Sequence, residues 1–313
     1  MSFLLDTWRP QRPRRSLKPV TGRVLVLLGL SAVWLSACAD GTRGWVLRER
    51  ATADAGAGAA GQTSFPEAGA AGEDTHVGDG GDAGAGGERT STGGARCPTR
   101  FESACSPEVL LDNKDAAGSG QLFAEAIPDL PDTLNCVTRD VCDMLFRKTS
   151  EVRELVRINV IVENYEGVSE TWSTGGESTI HISSKHLQDV ADGQGDVRLE
   201  LDNILYYHAT NDYQNDDGNG VDNAWLVQGV ANFVRYQAGL VPDSSRKLGG
   251  KYDDGGETTG FFFVWLDSEY PDFVYTLNQS LDPNDPVVWT TQAFQDITGR
   301  TVDGLWASYQ ASF

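Results

Sequence analysis

From residue 97 onward, apolar and polar positions follow two periods. Leu122 to Ile127 and Thr133 to Phe146 repeat apolar residues three and four apart, which predicts helices. Val156 to Val162 alternates and is rich in β-branched residues, and Thr179-Ile180-His181-Ile182-Ser183 does the same after the turn-rich Ser173-Thr174-Gly175-Gly176, so both predict strands. Helical spacing returns over Gly195 to Gln214, with Leu201, Ile204, Leu205 and His208 on one stripe. It returns again over Trp225 to Ala238, where Gly239 suits a C-terminal cap. Phe261 to Leu266, Pro271 to Leu281, Val287 to Ile297 and Val302 to Tyr309 predict further helices. Early strands followed by dominant helices indicate an α+β domain over residues 97–313, long enough to bury one core. Trp225, Trp265, Trp289 and Trp306 are expected in that core.

Upstream the periodicity vanishes. Residues 38–96 are dominated by Ala, Gly, Asp, Thr and Ser, as in Ala55-Gly56-Ala57-Gly58-Ala59-Ala60-Gly61. Such composition buries too little apolar surface to offset its ordering entropy, so a flexible tether is expected, with His76 solvated in it. Residues 1–37 have the form of an export signal: Arg9, Arg12, Arg14, Arg15, Lys18 and Arg23 precede a short apolar core, Val24 to Trp34. That core is too short to predict a membrane-spanning helix. Its end, Leu35-Ser36-Ala37-Cys38, resembles a bacterial lipobox. The resemblance implies cleavage before Cys38, lipid on that cysteine and a membrane partner. Ala39 after the cysteine implies the outer membrane or cell surface.

Charge and cysteines narrow the picture. The chain carries −20, and removing the positive signal leaves it near −25, which argues against nucleic acid as a partner. Cys97, Cys105, Cys136 and Cys142 in an exported chain point to two disulfides, with three pairings open. Cys136 and Cys142 share a predicted helix, where six residues span about 9 Å, beyond disulfide reach. Cys97 and Cys105 are therefore expected each to bridge to one of that pair. A zinc site from the four is disfavoured, because neither pair has tight metal-ligand spacing.

The folded part resembles the basic secretory protein family, also described as peptidases of plants and bacteria. Leu111-Asp112-Asn113, Ile158 to Val168, Ile180 to Ser183, Gly195-Asp196-Val197-Arg198, Leu226 to Gly239 and Gly299 to Tyr309 fall in family order. The resemblance covers Val109 to Phe313 and implies a zincin-like fold. The family pattern reads L-Y-H-E-M-T-H-V-W-Q, then L-I-E-G-I-A-D-Y-V-R. This chain reads Leu205-Tyr206-Tyr207-His208-Ala209-Thr210-Asn211-Asp212-Tyr213-Gln214, then Leu226-Val227-Gln228-Gly229-Val230-Ala231-Asn232-Phe233-Val234-Arg235. Leu205, Tyr206, Thr210 and Gln214 fix the register without a gap.

In the intact pattern two histidines four apart bind zinc, and the glutamate between them takes a proton from metal-bound water. The resemblance makes the glutamate of the second block the third ligand, and its aspartate a partner that orients a ligand histidine. Tyr207, Asn211 and Gln228 stand at the ligand positions here, His208 at the base and Asn232 at the supporting carboxylate. A phenol with a pKa near 10 and neutral amide oxygens are poor zinc ligands. Gln and Asn for Glu and Asp keep shape while removing charge, as a metal-free site requires.

The expectation is an exported, lipid-anchored pseudopeptidase that binds an extended peptide or a cell-wall polymer and holds no zinc. One alternative is an active metallohydrolase whose site has moved to His208 and Asp212, four apart, aided by His181 or His186. Another is a structural surface protein. Asn215-Asp216-Asp217-Gly218-Asn219-Gly220 matches half a calcium loop but has Leu226 where the bidentate glutamate belongs, so a polar turn is expected.

Overall fold

The computed structural model describes residues 97–216, 223–285 and 287–313, and the backbone of 43–47. The export signal, Cys38, the remainder of the proposed tether and most of the calcium-loop-like turn lie outside the described residues. No described helix is long and apolar enough to cross a membrane.

Four strands of the 97–313 segment lie in one sheet: β2 (Glu108–Asn113), β3 (Arg157–Glu163), β4 (Ser169–Thr174) and β5 (Glu177–Ser183). Strand β1 (Arg43–Leu47) pairs antiparallel with β4 at the outer edge, giving the order β1-β4-β5-β3-β2. It comes from the one bulky apolar run, Trp45-Val46-Leu47, in the Ala/Gly-rich stretch. β2 and β5 flank β3 in parallel, and β4 returns antiparallel beside β5. The β4–β5 turn is Gly175-Gly176 with φ of +60° and +82°, the two left-handed positions that a tight hairpin turn requires.

Helices α1 (Gly120–Ala126) and α2 (Leu130–Leu145) separate β2 from β3, so the order is less segregated than early strands followed by helices. After β5 the chain is helical: α3 (Ser184–Asp192), α4 (Val197–Tyr213), α5 (Ala224–Gln237), α6 (Gly256–Glu269), α7 (Phe273–Gln279), α8 (Gln292–Thr298) and α9 (Val302–Gln310). This is an α+β domain.

Ile158, Val160 and Val162 of β3 and Ile180 and Ile182 of β5 are fully buried in one continuous core. Asp196 caps α4 by accepting from the backbone N–H groups of Arg198 and Leu199. The second half of α4, residues 207–213, is buried on every side, and the helix packs against both α2 and α5. α5 and α6 approach at two glycines. A Cβ on Gly229 would stand 2.4 Å from Thr259 Cγ2, and one on Gly260 would stand 2.6 Å from Asn232 Cβ.

The expected core tryptophans divide. Trp289 is buried, while Trp225, Trp265 and Trp306 are partly exposed but pack on the core through Phe262, Phe294 and Tyr309. Disulfides Cys97–Cys136 and Cys105–Cys142 fasten the N-terminal arm to α2. Paired cysteines belong to an oxidising, exported setting.

Candidate functional site

Helix α4 separates its polar residues onto two faces. Tyr207, Asn211 and Gln214, four and three apart, lie on the side of α5. His208 and Asp212, also four apart, turn toward the sheet.

On the α5 side the polar groups form a seam. Gln214 Nε2 donates to Asn211 Oδ1 at 2.9 Å and to the Val227 carbonyl at 3.3 Å. The Asn211 amide stands beside the Tyr207 hydroxyl, although Asn211 Nδ2 makes no hydrogen bond. Burial holds the Tyr207 phenol above its ordinary pKa, so it stays protonated. On α5, Asn232 Nδ2 donates to the Gln228 carbonyl at 2.9 Å. Arg235 Nη1 donates to Asn232 Oδ1 at 2.8 Å, and Arg235 Nη2 reaches Asn203 Oδ1 at 2.8 Å. The guanidinium is close enough to feel Tyr207, Glu200 and Glu257. The Gln228 carboxamide lies against Gly255, where a Cβ would stand 2.6 Å from Gln228 Oε1.

On the sheet side the partners are hydroxyls. His208, fully buried, is paired through Nε2 with Ser169 Oγ at 2.8 Å, while Nδ1 has no partner. Burial drives its pKa down to about 3, so the ring is neutral. Asp212 Oδ1 accepts from Ser173 Oγ at 2.7 Å and Ser178 Oγ at 2.8 Å, and Oδ2 has no partner. Burial raises the Asp212 carboxyl to about 6, against the pull of the two serines and Arg153.

A cleft of about 250 Å³ opens at the C-terminal end of α4. The β4–β5 hairpin from Ser173 to Glu177 walls one side and residues 153–155 line another. Asn211, Gln214, Asp216 and Val227 complete it. Asn211 thus joins the polar seam to open space.

Residues 106–309 match the family described as peptidase of plants and bacteria. The chain belongs to that family. No curated protein and no solved structure matches it.

Zinc, the metal the family implies, does not fit this donor set. The phenol is held protonated, Asn211 Oδ1 is already an acceptor from Gln214, and Gln228 offers a neutral amide. Among the described residues no three His, Cys, Asp or Glu side chains gather as metal ligands. The two further histidines are engaged elsewhere. His181 stacks on Tyr165 with ring centres 4.4 Å apart and lies 3.2 Å from Glu170 Oε1, and His186 Nε2 lies 2.8 Å from Glu200 Oε1.

Tyr207, Asn211 and Asn232 therefore share one seam, with Gln228 joining through its carbonyl. His208 and Asp212 share a helix face but bond to different serines. Sequence reasoning missed Arg235 and Asn203, and it used Gln214 only to fix register. The spacing Tyr207, Asn211, Gln214 already placed Gln214 on the ligand face, and Arg235 follows Asn232 by three.

Proposed function

We propose that this member of the peptidase family is an exported, lipid-anchored pseudopeptidase that binds and does not cleave. One observation carries the reading. The side chains at the zinc positions are a protonated phenol and two neutral carboxamides, Asn211 Oδ1 already accepts from Gln214, and the Arg235 guanidinium is close enough to feel Tyr207. A cation beside that seam repels a second cation. The cleft next to Asn211 survives the loss of metal chemistry, so it supports a ligand-binding role rather than a purely structural one. An extended peptide or a cell-wall polymer is the ligand class we expect there.

The decisive experiment is metal analysis of purified protein after zinc supplementation, with a peptide-hydrolysis assay on the same sample. Substoichiometric zinc and no cleavage are expected.

A second reading, a relocated metal site at His208 and Asp212, draws on the unpartnered His208 Nδ1 and Asp212 Oδ2. Their other atoms are committed to Ser169, Ser173 and Ser178. Stoichiometric zinc that disappears in His208→Ala would favour this reading and sink the pseudopeptidase.

A further inference from the structure

We propose that the free edge of β2 pairs antiparallel with the β2 edge of a second copy of this chain. Two sheets then join into one about a two-fold axis at Leu111.

β2 ends the sheet on the side away from β1, with β3 as its neighbour. The Glu108 N–H donates to the Val156 carbonyl and the Lys114 N–H to the Val162 carbonyl, both at 2.9 Å. Main-chain groups alternate in direction along a strand, so Glu108, Leu110, Asp112 and Lys114 turn theirs to β3. Val109, Leu111 and Asn113 turn theirs outward, and among the described residues no hydrogen bond reaches them there. The strand is open as well as unpaired. Leu110 is 44% exposed and Leu111 is 45% exposed, on opposite faces of the sheet. Unpaired main-chain groups beside exposed leucines are a template for another strand.

Charge selects which strand. Glu177, Arg157 and Glu108 form one row across β5, β3 and β2, with Arg157 at 3.1 Å from Glu177 and 2.7 Å from Glu108. Glu163 and Lys114 form another row, 3.0 Å apart. Both rows alternate in sign, and they reach the edge with opposite signs at the two ends of β2. The Glu108 and Lys114 side chains are half-exposed, so each has room for a further neighbour without leaving the one it has.

Edge-facing residues must meet edge-facing residues, so the two-fold axis passes through a residue and not between two. With the axis at Leu111, Glu108 stands opposite the partner's Lys114 at both ends of the junction, and each row continues across it in alternating sign. With the axis at Leu110, Glu108 would stand opposite the partner's Asp112. With the axis at Asp112, the two aspartates would face each other. Opposite charges directly across a ladder stabilise it and like charges destabilise it, so the Leu111 register is favoured. The whole chain carries −20, which opposes self-association at long range. At about 150 mM salt the Debye length is about 8 Å, so the contacts across the junction outweigh that repulsion.

The test is sedimentation velocity of the full chain at about 150 mM salt, over a hundredfold range of concentration. A reversible dimer is expected. Leu111→Pro removes an N–H that β3 does not use, and should weaken the dimer tenfold or more while thermal melting stays close to that of the unsubstituted chain. Glu108→Lys sets lysine against lysine across the junction, and Lys114→Glu sets glutamate against glutamate. Each alone should weaken the dimer by a similar factor. Mixing the two variants restores an opposite pair at both ends, and association should return to within a few-fold of the unsubstituted chain. Mixing alters nothing within either chain, so the recovery reads the contact itself even where a variant is less stable.

A monomer at every concentration overturns the proposal. Hydrogen exchange then identifies the occupant, because Val109 and Leu111 amides protected in a monomer are covered by the chain itself. A dimer that keeps its affinity in Leu111→Pro and in both charge variants forms elsewhere on the surface and overturns it too. Charge variants that weaken the dimer but do not recover on mixing overturn the Leu111 register.

Discussion

At the residue scale, His208 and Asp212 carry opposite pH dependences on one helix face. The native state holds His208 neutral down to about pH 3, whereas an unfolded chain protonates it near its ordinary value of 6.5. Its stabilising contribution is complete above pH 6.5 and is lost as pH falls toward 3, on the order of 5 kcal/mol in all. Asp212 runs the other way. Its native carboxyl takes a proton near pH 6, but the unfolded one only near 3.8. Burying the charge therefore costs on the order of 3 kcal/mol above pH 6, a cost relieved as pH falls to 3.8. The two windows overlap and largely cancel. Urea denaturation at pH 7 and pH 4.5 separates them. Relative to the unsubstituted chain, His208→Gln should gain stability on acidification and Asp212→Asn should lose it. Parallel shifts in both variants would show that one of these groups is not buried as described.

At the element scale, the site was legible where apolar periodicity and a dense motif coincide, and obscure where the buried face is polar. Helices α4 and α5 stood out in the sequence because Leu201, Ile204 and Leu205 make a stripe and Leu226 to Arg235 aligns without a gap. Strand β4 did not, because its inward residues are Ser169 and Thr171, with Ser173 at the rim. Ser169 and Ser173 face His208 and Asp212 and hydrogen-bond to them, while Thr171 donates to the Thr179 carbonyl. A rule that looks for alternating apolar residues overlooks a strand whose partner is a polar helix face. The contact between α5 and α6 was also partly readable, since Gly229 sits inside a helical pattern where glycine is costly. Its reason is close approach: Gly229→Ala drives a methyl group into buried Thr259 and Phe263. Overpacking of this kind costs about 1–3 kcal/mol, more than the roughly 1 kcal/mol that alanine returns in helix propensity. A lower urea midpoint with an unchanged slope is expected, and an unchanged or higher midpoint would mean that the two helices separate at no cost.

At the scale of the whole molecule, the two disulfides decide whether the site persists. They span sequence separations of 39 and 37 residues and tie the arm from Cys97 to Cys105 onto α2. Loops of that length remove unfolded-state entropy equivalent to about 4 kcal/mol each. A domain of this kind is stable by only about 5–15 kcal/mol in total, so the two bridges supply a large share of it. Their effect reaches the seam through packing. α2 lies against α4, Thr138 of α2 donates to the Cys105 carbonyl at 2.7 Å, and the Tyr206 hydroxyl of α4 donates to Asp140 Oδ2 at 2.8 Å. Loosening the arm therefore loosens the helix that carries Tyr207, Asn211 and Gln214. Replacing Cys97 and Cys136 together by alanine should lower stability by about 2–4 kcal/mol, and the Cys105 and Cys142 pair by a similar amount. Thermal melting of the double variants, beside the intact chain with and without reductant, measures this. Fully reduced protein, verified by thiol titration, is expected to melt well below the oxidised form. If the reduced chain melts with the oxidised one, the arm is an appendage and the α4 seam is held by the helices and sheet alone.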